Sequence, residues 1–372
     1  MTGDLRAFEG EGRVIHPVAA IETSGARAAA VCVQDDNVLL AVPQLAKDIE
    51  GSDAHMNGGT SDVDMPLFRW MSGAFVQIAA LGVPGGEDAE FFEIGGQRFL
   101  ATASARSGRG PYEPNLASSI WRLGDRGYEV FQDVPTFYAK QVRHLRIGSR
   151  DFLAYAVGVT VDGPERRHPS RSFIYEWGGH EFVPLQTLDG EWGYNFSAFS
   201  ISGREFLAYA DHVSGSRIYE WRDGRFEEFQ LLPGDGGRAF QPIRLGDGFQ
   251  LAFATISGDV CIFEWTGEAF EMRQILRRDG GREFALYQRG ERSWLVLVRF
   301  IEGTPQSPKT DLTSFVYEWH PDGWRQVDSF PSFGATDAAF FESDGQPFLV
   351  VAHSLTAGIR FRQDSAVYEF RA

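Results

Sequence analysis

Cysteine is scarce in this 372-residue chain, with Cys32 and Cys261 the only thiols, and a disulfide framework is excluded as its means of support. Both fall inside predicted strands, where a lone thiol behaves as a small buried hydrophobe. Positive charge is also short. With 35 Lys and Arg against 51 Asp and Glu, the net charge of -16 disfavours nucleic acid as the main partner, because phosphate binding needs a cationic surface. No run of 18 apolar residues is present, so no helical membrane span is expected. The first twelve residues carry Asp4, Glu9 and Glu11 and no apolar stretch. They do not read as a secretory leader, and the expected location is cytoplasmic. Apolar residues do not recur at helical spacing, so helix is nearly absent. Missing too are G-x-S-x-G, H-E-x-x-H, paired C-x-x-C and a phosphate-cradling Gly-Lys-Ser.

Aromatic residues are abundant, at 14% with 31 Phe. They recur in a marker, clearest as Phe173-Ile174-Tyr175-Glu176-Trp177. Copies end at Trp70, Leu123, Trp177, Trp221, Trp265, Trp319 and Phe370, giving seven units with a period of 44 to 54 residues. That length suits a four-stranded unit. Around the fourth marker, Phe196 to Ile201, Phe206 to Ala210, Ile218 to Trp221 and Phe226 to Leu232 alternate apolar with small or polar residues. Ser202-Gly203 and Asp223-Gly224 turns bound them, as expected of half-buried strands. The fold class is all-β: a seven-bladed β-propeller of four-stranded antiparallel blades.

Residues 13–372 read as one propeller domain behind a tail of residues 1–12. The strand Val14 to Ile21 has no marker before it, and Tyr368-Glu369-Phe370 has no strand after it. The N-terminal strand should therefore complete the last blade, removing both free edges. Longer loops, such as Gln44 to Asp64 and Val157 to Ser172, gather on one face, where binding groups commonly sit.

The Phe-x-x-x-Gln-x-apolar strand (Phe182 to Leu188, Phe226 to Leu232), the Phe-Leu-Ala-x-Ala strand (Phe152 to Ala156) and Ser-x-Ile-Tyr-x-Trp (Ser172 to Trp177, Ser216 to Trp221) resemble the EPTP family, or epilepsy-associated (EAR) repeats. The resemblance covers nearly the whole chain. It implies a seven-bladed propeller and a binding role, since its better known members bind receptors through the propeller. Leu123 and Phe370 stand in place of Trp, and Ala79 and Asp328 in place of Gln, changes expected to loosen the framework.

The first strand of each unit should line a central channel. Its inward column reads Ala28, Asp88, Gln141, Asn195, Ala239, Glu283 and Asp337, followed two residues on by Glu90 and Arg143. Crowded carboxylates raise one another's pKa or recruit a cation. Oxygen donors suit Ca²⁺ or Mg²⁺, with Asp88, Asn195 and Asp337 the candidate metal ligands. Outside that ring stand Arg27, Glu87, Lys140, Tyr194, Arg238, Arg282 and Thr336, whose four cations would focus an anionic ligand. Trp192 and Tyr194 offer an apolar wall, and Gly190 and Gly193 would permit close approach. The Phe-Leu-Ala strands end in Asp211-His212, Arg299 and His353. His144 sits in an apolar column and should face a neighbouring blade.

Two functions remain open at this point. In one, the chain is a propeller that binds a protein or small anionic ligand through Asp88, Lys140, Gln141, Trp192, Tyr194, Asn195, Arg238, Arg282, Glu283, Arg299 and Asp337. In the other, it is a cofactor-independent lyase, cyclase or isomerase in which Asp211, His212 or His353 acts as acid or base.

Overall fold

Each marker is the third strand of a four-stranded antiparallel sheet. The computed structural model describes residues 13–34, 37–159, 169 and 171–371, and the expected tail of residues 1–12 lies outside them. Among the described residues there is no helix, and hence none long and apolar enough to cross a membrane.

The chain opens on β1 (Ile15–Ile21), followed by β2 (Ala30–Gln34), β3 (Asn37–Ala41), β4 (Asp64–Met71) and β5 (Ala74–Gly82). Next come β6 (Gly86–Ile94), β7 (Gln97–Ser104), β8 (Ala117–Gly124) and β9 (Gly127–Pro135), then β10 (Ala139–Ile147), β11 (Arg150–Val157), β12 (Arg171–Trp177) and β13 (Phe182–Asp189). A fourth set is β14 (Gly193–Ile201), β15 (Arg204–Asp211), β16 (Ser216–Arg222) and β17 (Arg225–Leu232). A fifth is β18 (Gly237–Leu245), β19 (Gly248–Thr255), β20 (Val260–Trp265) and β21 (Phe270–Arg277). The sixth sheet uses β22 (Glu283–Arg289), β23 (Arg292–Val298), β26 (Asp311–His320) and β27 (Gly323–Phe333), with a small hairpin of β24 (Glu302–Thr304) and β25 (Ser307–Lys309) between. The last uses β28 (Ala335–Ser343), β29 (Gln346–His353) and β30 (Ser365–Phe370), and β1 pairs with β30 as its outer strand. The seven sheets are arranged as a β-propeller.

The chain divides into two compact units. One comprises residues 1–86, 108–110 and 281–372, with the first, sixth and last sheets. The other comprises residues 87–107 and 111–280, with the four sheets from β6 to β21. Within each unit the core lies between sheets. Phe199, Phe206 and Ile218 of one sheet pack with Phe240, Phe249 and Phe270 of the next, and Tyr287 and Trp294 pack with Leu349 and Tyr368. Trp177 meets Phe182 on its own sheet and Phe99 on the preceding one. The aromatic end of the marker is thus the wedge between sheets, and aromatic pairs of this kind add about 1 kcal/mol beyond their buried area.

The polar letters of the repeat form latches. The marker's serine accepts a backbone N–H at the end of the second strand or just past it: Ser104 N–H to Ser118 Oγ (3.1 Å), Val157 to Ser172 (3.0 Å), Asp211 to Ser216 (3.2 Å), Arg299 to Ser314 (3.2 Å) and His353 to Ser365 (3.3 Å). All five serines are buried, so each satisfies a donor that water does not reach. The glutamine of Phe-x-x-x-Gln reaches the next sheet. Gln132, Gln186 and Gln230 each donate Nε2–H to the carbonyl of Phe182, Phe226 and Phe270, and accept the same residue's N–H on Oε1, at 2.7 to 2.9 Å. A primary amide is the one side chain that can answer both backbone groups of a single residue. The glutamate of Tyr-Glu-Trp pairs with an arginine on the second strand, as Arg204 Nε and Nη2 do with Glu220 (2.7 and 2.9 Å). That arginine also lies over Phe206 and Trp265.

Asp328 corrects the expectation of a loosened framework. Its Oδ2 accepts the N–H groups of Val14 (2.9 Å) and Ile15 (3.1 Å), and its Oδ1 pairs with Arg13 at 3.2 Å. Where the neighbour is the N-terminal strand, a carboxylate that takes two donors and a guanidinium does the work of the amide.

Candidate functional site

In the larger unit, Glu87, Lys140, Tyr194 and Arg238 occupy equivalent places near the start of the inner strands β6, β10, β14 and β18. Three of them are β-bulge residues, because the pairing steps from Ala139 to Gln141, from Gly193 to Asn195 and from Gly237 to Ala239. A bulge re-aims its extra side chain, and here each lies against the counterpart on a neighbouring inner strand. Lys140 Nζ lies 2.6 Å from Glu87 Oε1, 4.4 Å from the Tyr138 ring and 5.8 Å from the Tyr194 ring. The Arg238 guanidinium covers the Tyr194 ring at 3.9 Å. The outer column thus forms a contiguous row in this unit. Its charged members are buried: Glu87 is 5%, Lys140 8% and Arg238 6% exposed.

Arg238 Nη1 donates to the carbonyls of Gly236 and Gly237 and lies 2.9 Å from His212 Nδ1. A guanidinium only donates, so Nδ1 accepts and the neutral ring carries its proton on Nε2. The His212 ring stands edge-on to Trp192 at 4.8 Å, and Trp192 stacks with Tyr194 at 5.8 Å.

Asp211, at the end of β15, fixes the two loops that carry these groups. Its Oδ2 accepts the N–H groups of Glu191 (2.9 Å) and Trp192 (3.0 Å) and the Tyr209 hydroxyl (3.2 Å). Its Oδ1 accepts those of Val213 (2.8 Å) and Ser214 (2.7 Å). The side chain is fully buried, and the pairing leaves it as a clamp holding Gly190–Trp192 against His212–Ser214. Val213, 40% exposed, is displayed at the tip of that clamped turn. Gly190 and Gly193 serve a different approach from the expected one, since a Cβ on either would collide with the Tyr209 hydroxyl.

The inward column forms lateral bonds. Asp88 Oδ2 accepts Val142 N–H (3.1 Å), Gln141 Oε1 accepts Phe196 N–H, and Asn195 Oδ1 accepts Phe240 N–H (3.1 Å). Each is a bond from one inner strand to the residue just after the equivalent position in the next. Arg143 pairs with Glu90 at 2.8 Å. Burial pushes the Glu90 carboxyl above its ordinary range, and Arg143 opposes that shift. His144 stacks on Phe92 of the preceding sheet at 4.7 Å and lies 3.0 Å from Asp151 Oδ1. Burial lowers its pKa.

An EPTP domain profile matches residues 181–222, the stretch from Phe182 through the Tyr219-Glu220-Trp221 marker. That stretch is similar to the EPTP domain. Two curated relatives carry the same printed name, thrombospondin-type laminin G domain and EAR repeat-containing protein. The human protein is 28% identical over 116 residues, 31% of this chain and 15% of the relative. The mouse protein is 30% identical over 125 residues, 33% of this chain and 17% of the relative. The matched stretch spans about a sixth of either relative.

In the smaller unit the equivalent positions differ. Asp337 Oδ2 accepts Ala29 N–H and Oδ1 accepts Ala338 N–H, both at 2.8 Å, so this member of the inward column also latches backbone. Thr336 is a bulge residue whose hydroxyl donates to the Ala26 carbonyl. Arg27 lies over Phe300 at 5.3 Å, Arg282 is 3.8 Å from Glu283, and Arg299 pairs with Glu302 at 2.8 Å. His353 is buried, donates Nδ1–H to the Asp364 carbonyl (3.2 Å), and has no hydrogen-bond partner at Nε2 among the described residues. Burial pushes its pKa down to about 4.

Among the described residues no three His, Cys, Asp or Glu side chains converge as for a metal ion. The oxygens of Asp88, Asn195 and Asp337 offered for Ca²⁺ or Mg²⁺ are those that accept backbone N–H. What the sequence did not disclose is the clamp and the bulge. Val213, Tyr138 and Glu87 were not among the expected binding residues. The recurrence of Asp, Ser or Thr at the end of the second strand was the signal available for the clamp.

Proposed function

We propose that the chain is a binding module that presents the clamped loops around Trp192, Tyr194, His212 and Val213 to an acidic partner or anionic ligand. The observation that carries this reading is the Asp211 clamp. Four backbone N–H groups from two loops converge on one buried carboxylate, fixing aromatic and apolar side chains on the loop-bearing end of the blades. Rigid aromatic anchors are what binding hot spots use, because little side-chain entropy is lost on contact. Arg238 behind them favours negative charge in the partner.

The competing reading is a cofactor-independent enzyme. Asp211 is engaged on both oxygens and His353 is buried, so neither is placed to exchange protons with a substrate. His212 remains the one candidate that could do so.

The test is a panel of acidic and neutral peptides against immobilised protein at two salt concentrations. Binding of acidic peptides that weakens with salt and falls at least tenfold in W192A and V213D, with unchanged melting, is expected. Equal binding by both variants would contradict the proposal.

A further inference from the structure

Seven outer strands end the seven sheets, and each leaves one edge without a strand partner among the described residues. Six carry the features that keep such edges from pairing with foreign strands. β1 has Pro17, β9 has Glu129 and Asp133, and β13 has Pro184. β17 has Glu227 and Glu228, β21 has Glu271 and Arg273, and β27 has Arg325 and Pro331. β5 reads Ala74-Phe75-Val76-Gln77-Ile78-Ala79-Ala80-Leu81-Gly82, with neither charge nor proline. Val76 (48%) and Ile78 (46%) are exposed on it. At Ala79 it lacks the glutamine that latches its sister strands.

The register shows which backbone groups face outward. Ala80 is opposite Pro66, and the Pro66 carbonyl accepts Val42 N–H, so residue 66 turns its backbone toward β3. Ala80 is therefore in a non-hydrogen-bonded pair and turns its own N–H and C=O away from β4, as does Gly82 two residues on. A bulge leaves Ile78 as an extra residue, and similar register shifts at β13 and β17 make it a property of the repeat. The run from Ala79 to Gly82 beyond it has small side chains at Ala79, Ala80 and Gly82.

We propose that β5 accepts a further strand along Ala79–Gly82. The occupant is an extended segment of a partner protein, apolar at alternate positions, with a Lys or Arg at the end beside Gly82. Asp64 lies directly opposite Gly82, and both it and nearby Asp62 are exposed, so the end of the edge is acidic. A second copy of the chain fits less well. Two such strands bury well under the ~800 Å² per partner of a stable interface, and each copy brings a net charge of -16. Main-chain bonding would supply the affinity and the Val76–Ile78 surface the preference for apolar side chains. This edge lies outside the clamped-loop site and does not depend on it.

The probe is a synthetic peptide, Lys-Val-Thr-Val-Thr-Val-Thr-Lys, compared with the same peptide bearing proline at its central valine. Fluorescence anisotropy should show saturable binding of the first, at least tenfold tighter than the second. Hydrogen exchange should slow within residues 79–82. Ala80→Pro removes a donor that points to solvent and leaves the ladder to β4 intact, so the variant should melt like the parent and lose at least tenfold in affinity. Equal binding of the two peptides to the parent protein would overturn the proposal whether or not the variant folds. So would protection confined to other segments.

Discussion

Replacing Gln186 with Ala removes both halves of one latch between sheets. In the parent, Nε2–H to the Phe226 carbonyl is 2.7 Å and Phe226 N–H to Oε1 is 2.9 Å, while the Phe226 side chain is buried. Once the amide is gone, the two backbone groups at that end of β17 lose their partner. Each unsatisfied buried group costs about 1–3 kcal/mol, and because the site is only partly buried the lower end applies, so the expected loss is about 2–3 kcal/mol. Gln186→Glu is the discriminating comparator. A carboxylate still accepts Phe226 N–H but cannot donate to its carbonyl, so this variant should recover at most about half the loss. Urea unfolding followed by Trp fluorescence reads the stability, and hydrogen exchange at the Phe226 amide reads the site. If Gln186→Ala lies within about 0.5 kcal/mol of the parent, or Gln186→Glu matches the parent, the latch account of the repeat's glutamine is refuted.

Three further perturbations have worked directions. His353 ionises near 6.5 when unfolded and near 4 when folded. Its contribution is therefore fully present above about pH 6.5 and fades as pH falls toward 4, amounting to about 3 kcal/mol across that window. His353→Phe should flatten that part of the stability–pH curve, and an unchanged slope would contradict it. Asp211→Asn turns an amide N–H toward backbone donors, so it should destabilise by about 3 kcal/mol or more and speed hydrogen exchange in both Gly190–Trp192 and Val213–Ser214. Faster exchange in one loop alone would show that the clamp does not span both. Ser172→Ala leaves Val157 N–H without its 3.0 Å acceptor and should cost about 1–2 kcal/mol by thermal or urea unfolding. A neutral outcome would show that water replaces the hydroxyl there.

The architecture was legible because each marker combines period-two alternation with a turn on either side, and Phe173 to Trp177 needs no distant partner to be read as a strand. Closure was legible from Val14 to Ile21, a strand lacking a marker, facing Tyr368 to Phe370, a marker lacking a strand. The latches were visible as letters but not as bonds. Gln186 and Phe226 are 40 residues apart, and nothing local tells that one answers the other. The lateral bonds of the inward column were not legible, because alternation gives a side chain's face of the sheet but not the backbone N–H within its reach. Asp88, Asn195 and Asp337 found such N–H groups on neighbouring inner strands. Lys140, Tyr194 and Arg238 were legible as binding candidates but their contacts with one another were not, because a one-residue bulge breaks the alternation that places side chains. Asp328 looked like a defect until the strand it holds was known to be the N-terminal one.

The most direct test is a high-resolution crystal structure of the full chain grown with millimolar calcium. The expected map has the side-chain oxygens of Asp88, Gln141 and Asn195 within hydrogen-bond distance of the Val142, Phe196 and Phe240 N–H groups, with no ion on them. Calcium held by those oxygens, with the three N–H groups released, would show that the inward column is a ligand site rather than part of the framework.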